Sequence, residues 1–320
     1  MGFFDIILFP FKWVVSWILS IFHSFLSFLG MNFDSGWTWT LALVLLVITI
    51  RTLLLPLFVR QIKSQRAMQA MQPEIKKLQQ KYKGKKDQLS RQAMAMEQQA
   101  LFKKHGTSPF SACLPMLVQM PFFFALYQVL NGASHAAENG ENIAALSHEE
   151  ISSFALSSIF GAQMQDTFLG STGENLDWSV LIVASVMIVL MSASMFYMQR
   201  MLMSKNMTEA AMTGPFAQSQ RMMLYVLPLV FAIGGINFPI GVLVYWTATN
   251  FWAVGQQFYI IRRNPAPGSQ AERELNERRV AKGLEPIGKA AEEARAKAEA
   301  KAKKPKGQRQ QPVRKSRKKR

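Results

Sequence analysis

Runs of apolar residues, each about as long as a bilayer is thick, recur along this chain and set its fold class before any other feature. A helix needs about 20 mostly apolar residues to cross the hydrocarbon core. Trp37–Val59, Pro109–Leu130 and Trp178–Met198 meet that length. Met222–Phe238 and Ile240–Ile261 follow one another across an uncharged, turn-rich join, GGINFPIG, which reads as a tight hairpin. Pro115 and Pro121 inside the second run are tolerated, because neighbouring helices satisfy the carbonyls they free. The expected fold is an all-α polytopic membrane protein with a five-helix core. The hydrophobic fraction of 49% and charged fraction of 18% fit this class. A single cysteine, Cys113, excludes an intramolecular disulfide framework, and four scattered histidines form no metal-ligand pair. No cofactor and no covalent catalysis are expected.

Charge orients the spans. Segment 60–104 has 12 Lys/Arg against 3 acids, whereas 131–177 has no Lys or Arg and 7 acids. Segment 199–221 has three cations against one acid, and the tail 262–320 has 20 against 7. The signs alternate as five spans require, which puts 131–177 outside and the tail in the cytoplasm. The resulting layout is 1–36, an amphipathic interfacial helix and short external loop; 37–59, the first span; 60–106, a cytoplasmic helical hairpin; 107–131, the second span; and 132–177, an acidic external loop. Then come 178–199, the third span; 200–220, a cytoplasmic loop; 221–238 and 239–261, the last two spans; and 262–320, a basic disordered tail with transient helix near 289–304. In the first segment, Lys12, Ser16, Ser20, Ser24 and Ser27 share one helical face, which suits a helix lying on the membrane with its N-terminus outside; the alternative is a sixth span, and loop charge does not decide between them, because both leave residues 31–36 outside. No basic stretch precedes this apolar segment, so a cleaved signal peptide is not expected.

The hairpin is rich in Gln, Lys, Ala, Met and Leu, which are good helix formers, with Gly84 as its breaker. Its apolar stripe is thin: Ile62, Met68, Met71, Ile75 and Leu78 on one arm, and Leu89, Ala93, Met96 and Ala100 on the other. Its cations Arg60, Lys63, Arg66, Lys76, Lys77 and Lys81 are candidate partner contacts. Arg51 constrains function most. It sits near the middle of an otherwise apolar span, and such a placement costs about 2.5–3.5 kcal/mol on insertion scales. Arg60, the next cation, is nine residues on, about 13 Å along a helix, too far for snorkelling. No span contains Asp or Glu. The polar candidates to face Arg51 include Gln119, Gln199, Tyr245 and Asn250, and a hydrated cavity is the expected setting.

The run IRTLLLPLFVRQIKSQRAMQAMQPEIKKLQQKYKG, then LFKKHGTSPFSACLPMLVQMPFFFALYQVL, then FPIGVLVYWTATNFWAVGQQ resembles the YidC-type membrane protein insertases, bacterial relatives of the mitochondrial Oxa proteins. The resemblance covers about residues 37–261. It implies a plasma-membrane protein whose helices enclose a polar groove open to the cytoplasm and to lipid, with the groove arginine at Arg51 and with Tyr245 or Trp246 beside it. The chain is similar to short forms that lack a large extracytoplasmic domain. The implied clients are nascent membrane proteins, and the implied helpers are the Sec translocon and the signal recognition particle receptor, with the protein acting as a monomer. The final run KKPKGQRQQPVRKSRKKR suits electrostatic attachment to phosphate, either of ribosomal RNA or of anionic lipid.

Overall fold

The computed structural model describes residues 3–85, 87–106, 108, 114–173, 176–207, 212 and 215–303. Cys113 and the terminal basic run 304–320 lie outside the described residues. The chain is an all-α polytopic membrane protein. Among the described residues, three helices are long and apolar enough to cross a membrane, over Asp5–Phe28, Gly36–Leu53 and Trp178–Asn206, and Leu117–Asn131 is a shorter apolar helix. Large apolar side chains such as Ile182, Val189, Leu229 and Ile233 point outward, the surface expected where the solvent is lipid.

Helix α1 (Phe3–Phe28) turns at Gly30 and runs back as α2 (Gly36–Leu53). Ser35 caps α2 by accepting from the Trp37 amide, satisfying one of the orphan donors of a helix start. Helix α1 packs lengthwise on α2 and on α5 (Leu114–Asn131), sharing a buried cluster through Val15, Leu19, Leu43, Leu46, Leu126 and Leu130. This differs from a helix lying on the surface with its polar face in water. Part of the polar face turns inward, while Ser24 stays exposed: Ser16 Oγ accepts from the Ala145 amide at 3.0 Å, and Ser20 Oγ donates to Glu150. Each inward hydroxyl has a partner, which removes the cost of burying it. The outward face is apolar, with Ile6, Trp13, Trp17, Phe25 and Phe28 exposed.

The chain breaks at Leu54 and continues as α3 (Leu55–Lys81). Pro56 explains the break: it has no amide to donate, and its ring clashes with the carbonyl four residues back. Helix α3 runs on without interruption past Pro73 and pairs with α4 (Gln88–Lys104). Met71, Ile75 and Leu78 are buried as expected. On α4, however, Leu89 and Met96 are exposed, and Phe102 with Leu101 fills the seam instead. The hairpin seam turns toward Glu97 and not Met96, because Glu97 accepts from Lys81 at 2.6 Å and from Tyr82 at 2.8 Å. At the other end Glu74 accepts from Lys104 and pairs with His105.

Residues 133–173 form a compact cap and not a bare loop: α6 (Ala133–Asn139), α7 (His148–Leu156) and a two-stranded hairpin of β1 (Ser158–Ile159) and β2 (Ala162–Gln163). Ser147 and Glu150 form a capping box on α7. The cap is pinned to the helix ends by Trp39, fully buried, whose Nε1 donates to Ser153 Oγ at 3.2 Å. It is also pinned by the amides of Ile240 and Gly241, which donate to Asp166 and Met164 carbonyls. Gly36 lets β1 sit against α2, since a Cβ there would lie 2.2 Å from the Ser158 carbonyl oxygen.

Helix α8 (Trp178–Asn206) starts on an Asp177 cap; α9 (Pro215–Gly235) and α10 (Ile240–Arg263) are joined by a short turn, in which the Asn237 and Phe238 amides donate to the Gly234 and Gly235 carbonyls, and both pack on α8. The tail is not irregular after Arg263. Helix α11 (Gln270–Val280) is capped by Ser269, and α12 (Lys289–Lys303) follows. Asn206 Oδ1 accepts from the Ala266 amide at 2.9 Å, Lys205 pairs with Glu274, and Ala271 is buried with Met201 and Ile261. These contacts hold the segment on α8 and α10 despite its lack of an apolar stripe.

Candidate functional site

Arg51 lies in the last turn of α2, one turn from the break at Leu54. Its side chain is half-buried, with the guanidinium carbon 5.3 Å from the centre of the Phe58 ring on α3. Helix α10 packs on α2 and brings Tyr245 within electrostatic reach of Arg51. The Tyr245 hydroxyl in turn accepts from Gln119 Nε2 on α5 at 2.9 Å. Three helices therefore contribute Arg51, Tyr245 and Gln119 to one site. Among the described residues no carboxylate forms an ion pair with Arg51.

Several buried polar atoms on α3, α5 and α10 lack a protein partner. Among the described residues, Gln119 Oε1, Gln61 Nε2, Thr247 Oγ1 and Thr249 Oγ1 are buried with no protein partner. Each such atom costs about 1–3 kcal/mol if left dry, so the free amide oxygen of Gln119, whose nitrogen bonds Tyr245, suits water beside Arg51.

The remaining candidates go elsewhere. Asn250 Nδ2 donates to the Met191 carbonyl at 3.3 Å and ties α10 to α8. Gln199 donates to Gln220 at 2.9 Å between α8 and α9. Trp246 points about 100° around α10 from Tyr245, into an aromatic cluster with Phe123 at 4.4 Å and Phe231 at 4.6 Å. Pro56 was the available signal for the helix break.

On the hairpin, Arg60, Lys76, Lys77 and Lys81 are exposed, and the side chains of Lys63 and Arg66 lie outside the described residues. Lys81 is committed to Glu97, whose carboxyl is held below its ordinary range first by the Lys81 hydrogen bond and then by that from Tyr82. Among the described residues no cluster of His, Cys, Asp and Glu could hold a metal.

Comparison with known proteins decides the family. The family model described as "60Kd inner membrane protein" matches residues 30–267. The chain is 49% identical over 272 residues to the membrane protein insertase YidC of Streptomyces avermitilis, covering 82% of this chain and 60% of that relative. The chain belongs to the YidC-type insertase family. It is 40% identical over 328 residues to the membrane protein insertase YidC of Tropheryma whipplei strain Twist, covering 100% of this chain and 99% of the relative. It is 35% identical over 330 residues to that of Bifidobacterium longum, covering 99% and 96%. As a member of this family the chain is a multi-pass protein of the bacterial cell membrane and is not an enzyme. Helix α1 precedes the segment matched by the family model, but the Tropheryma and Bifidobacterium relatives extend across it.

Proposed function

We propose that this chain inserts nascent membrane proteins through a hydrated site centred on Arg51. The observation that carries this reading is a guanidinium with no carboxylate partner among the described residues, beside Tyr245 and the orphaned amide oxygen of Gln119. The polar atoms hold water partway into the membrane. A client's short polar segment enters that water and so avoids much of the cost of dehydration in apolar core. The client's apolar segment then partitions into lipid. Arg51 supplies a standing positive charge that favours acidic segments, and Tyr245 with Gln119 keeps the wall of the site polar without neutralising it.

Orientation follows the loop charges: the cap of α6 and α7 is outside, and the α3–α4 hairpin and α11 are cytoplasmic. Helix α1 runs beside α2 and α5 and its C-terminal half is bonded to the cap, so it crosses the membrane as a sixth span with its N-terminus in the cytoplasm. The exposed cations of the hairpin contact the incoming client, and the basic terminus attaches to ribosomal RNA phosphate.

Reconstitution tests the reading. The purified full chain in protein-only vesicles should insert a single-span client, measured by protease protection of the translocated segment. Protection no greater than in empty vesicles refutes independent insertase activity and leaves a tether.

A further inference from the structure

A cavity of about 490 Å³ lies where the ends of α8 and α10 meet α11. It plays no part in the Arg51 site. One wall is apolar. Tyr197 and Phe258 line its mouth and are 55% and 53% exposed, while Met201 and Ile261 form its buried floor. Tyr197 continues the exposed stripe of Val186, Val189 and Leu190 along α8, and Phe258 continues that of Phe251 on α10. These spacings of three, four and seven residues keep each stripe on one helical face. The lipid-facing surface of the protein therefore runs directly into the cavity.

The other wall is ionic and comes from Lys205, Arg262, Glu274, Glu277 and Arg278. Lys205 and Glu274 neutralise each other as an ion pair. Arg278 is braced: its Nε donates to the Glu274 carbonyl at 3.1 Å and its Nη2 to the Arg262 carbonyl at 3.4 Å. The bracing fixes the fork while leaving Nη1 to donate. Arg262 and Arg278 then stand against the single carboxylate Glu277, so the rim carries a surplus positive charge.

The geometry points to a binding site for an anionic glycerophospholipid of the cytoplasmic leaflet, with its phosphate on Arg262 and Arg278 and an acyl chain along Tyr197 and Phe258. A phosphodiester matches the planar donor fork of arginine. Basic pockets between helix ends at this level hold anionic headgroups. Charge and shape together select the occupant: a soluble anion makes no use of the apolar wall, and a zwitterionic lipid offers the same phosphate but brings an ammonium that the surplus positive charge of the rim repels. The lipid would stitch α11 to the membrane helices, adding to Asn206 and Ala271 as anchors of the tail segment. This assignment rests on the proposed orientation, in which these helix ends are cytoplasmic.

The test is native mass spectrometry of the full chain released from detergent with added phosphatidylglycerol, phosphatidylcholine or inorganic phosphate. Wild type should retain phosphatidylglycerol at least about tenfold better than phosphatidylcholine, equivalent to about 1.4 kcal/mol. The paired change Arg262→Gln and Arg278→Gln should abolish that preference. Glu277→Gln should increase it, a gain that misfolding cannot mimic. Equal retention of both lipids, inorganic phosphate displacing phosphatidylglycerol at equal concentration, occupancy by a second copy of the chain, or no response to either variant overturns the assignment. A separate cysteine-labelling assay at Arg263→Cys reports orientation. Labelling from outside refutes the topology, whereas loss of lipid preference with cytoplasmic labelling refutes this site alone.

Discussion

Replacing Arg51 with alanine should separate stability from transport. The guanidinium sits 5.3 Å from the Phe58 ring centre, a cation–π contact worth about 1 kcal/mol. Against that, alanine removes a charge that has no ion-pair partner among the described residues, relieving part of its desolvation cost. The two effects oppose each other, so the melting temperature in detergent should shift little. Transport should respond strongly. A client carboxylate about 6 Å from the guanidinium, at an effective dielectric of about 20–40, gains roughly 1.5–3 kcal/mol. That corresponds to about a 10- to 100-fold advantage in occupying the site. Arg51→Ala should lose that factor for a client with an acidic translocated segment and far less for a matched neutral one. Arg51→Lys keeps the charge but not the fork and should retain partial activity. The assay is insertion of the matched pair into vesicles carrying wild type, Lys or Ala protein. Equal loss for both clients in Arg51→Ala would refute charge attraction and leave hydration as the arginine's contribution. Undiminished insertion of both would reduce Arg51 to a packing residue.

Three other perturbations probe the elements around the site. Gly36→Ala places a Cβ 2.2 Å from the Ser158 carbonyl oxygen and 2.9 Å from the Ile159 side chain; it should destabilise the cap by about 1–3 kcal/mol, seen as faster proteolysis within 140–165, and unchanged cleavage would contradict the close approach. Ser20→Ala removes a hydrogen bond to buried Glu150, worth about 1.5–3 kcal/mol, and should raise hydrogen exchange in the second half of α1, while Ser24→Ala, at an exposed position, should not. The α3–α4 hairpin should loosen in acid: Glu97 and Glu74 are held below the ordinary carboxylate range by Lys81 and Lys104, so their stabilisation is full above that range and is lost as pH falls through the depressed values. Exchange across α4 should rise there in wild type, and the double change Glu97→Gln and Glu74→Gln should flatten the profile; an equally steep profile in the double variant would exclude these pairs.

The apolar runs, the alternation of loop charge and the isolated Arg51 were legible in the linear order of residues, because each is set by bilayer thickness, membrane orientation or the absence of any carboxylate in the spans. The α9–α10 turn was legible for the same reason, since Gly234, Gly235 and Pro239 punctuate it locally. What the tertiary structure decided is which way each mixed face points. Ser16 and Ser20 lie on a stripe that could meet water or protein, and only the presence of the Ala145 amide and Glu150 turns it inward. Periodicity along α4 favoured Met96, but two donors from α3 and the loop rotate the seam to Glu97. The segment after Arg263 looks too polar to fold, yet Asn206, Lys205 and Met201 from α8, some 60 residues earlier, supply what it lacks. Around Arg51, sequence spacing offered several polar companions, and the packing of α5 and α10 selected Gln119 and Tyr245 while committing Asn250 and Gln199 to neighbouring helices. A hydrogen bond needs a partner at about 3 Å in a particular direction, and that distance and direction come only from how the helices pack.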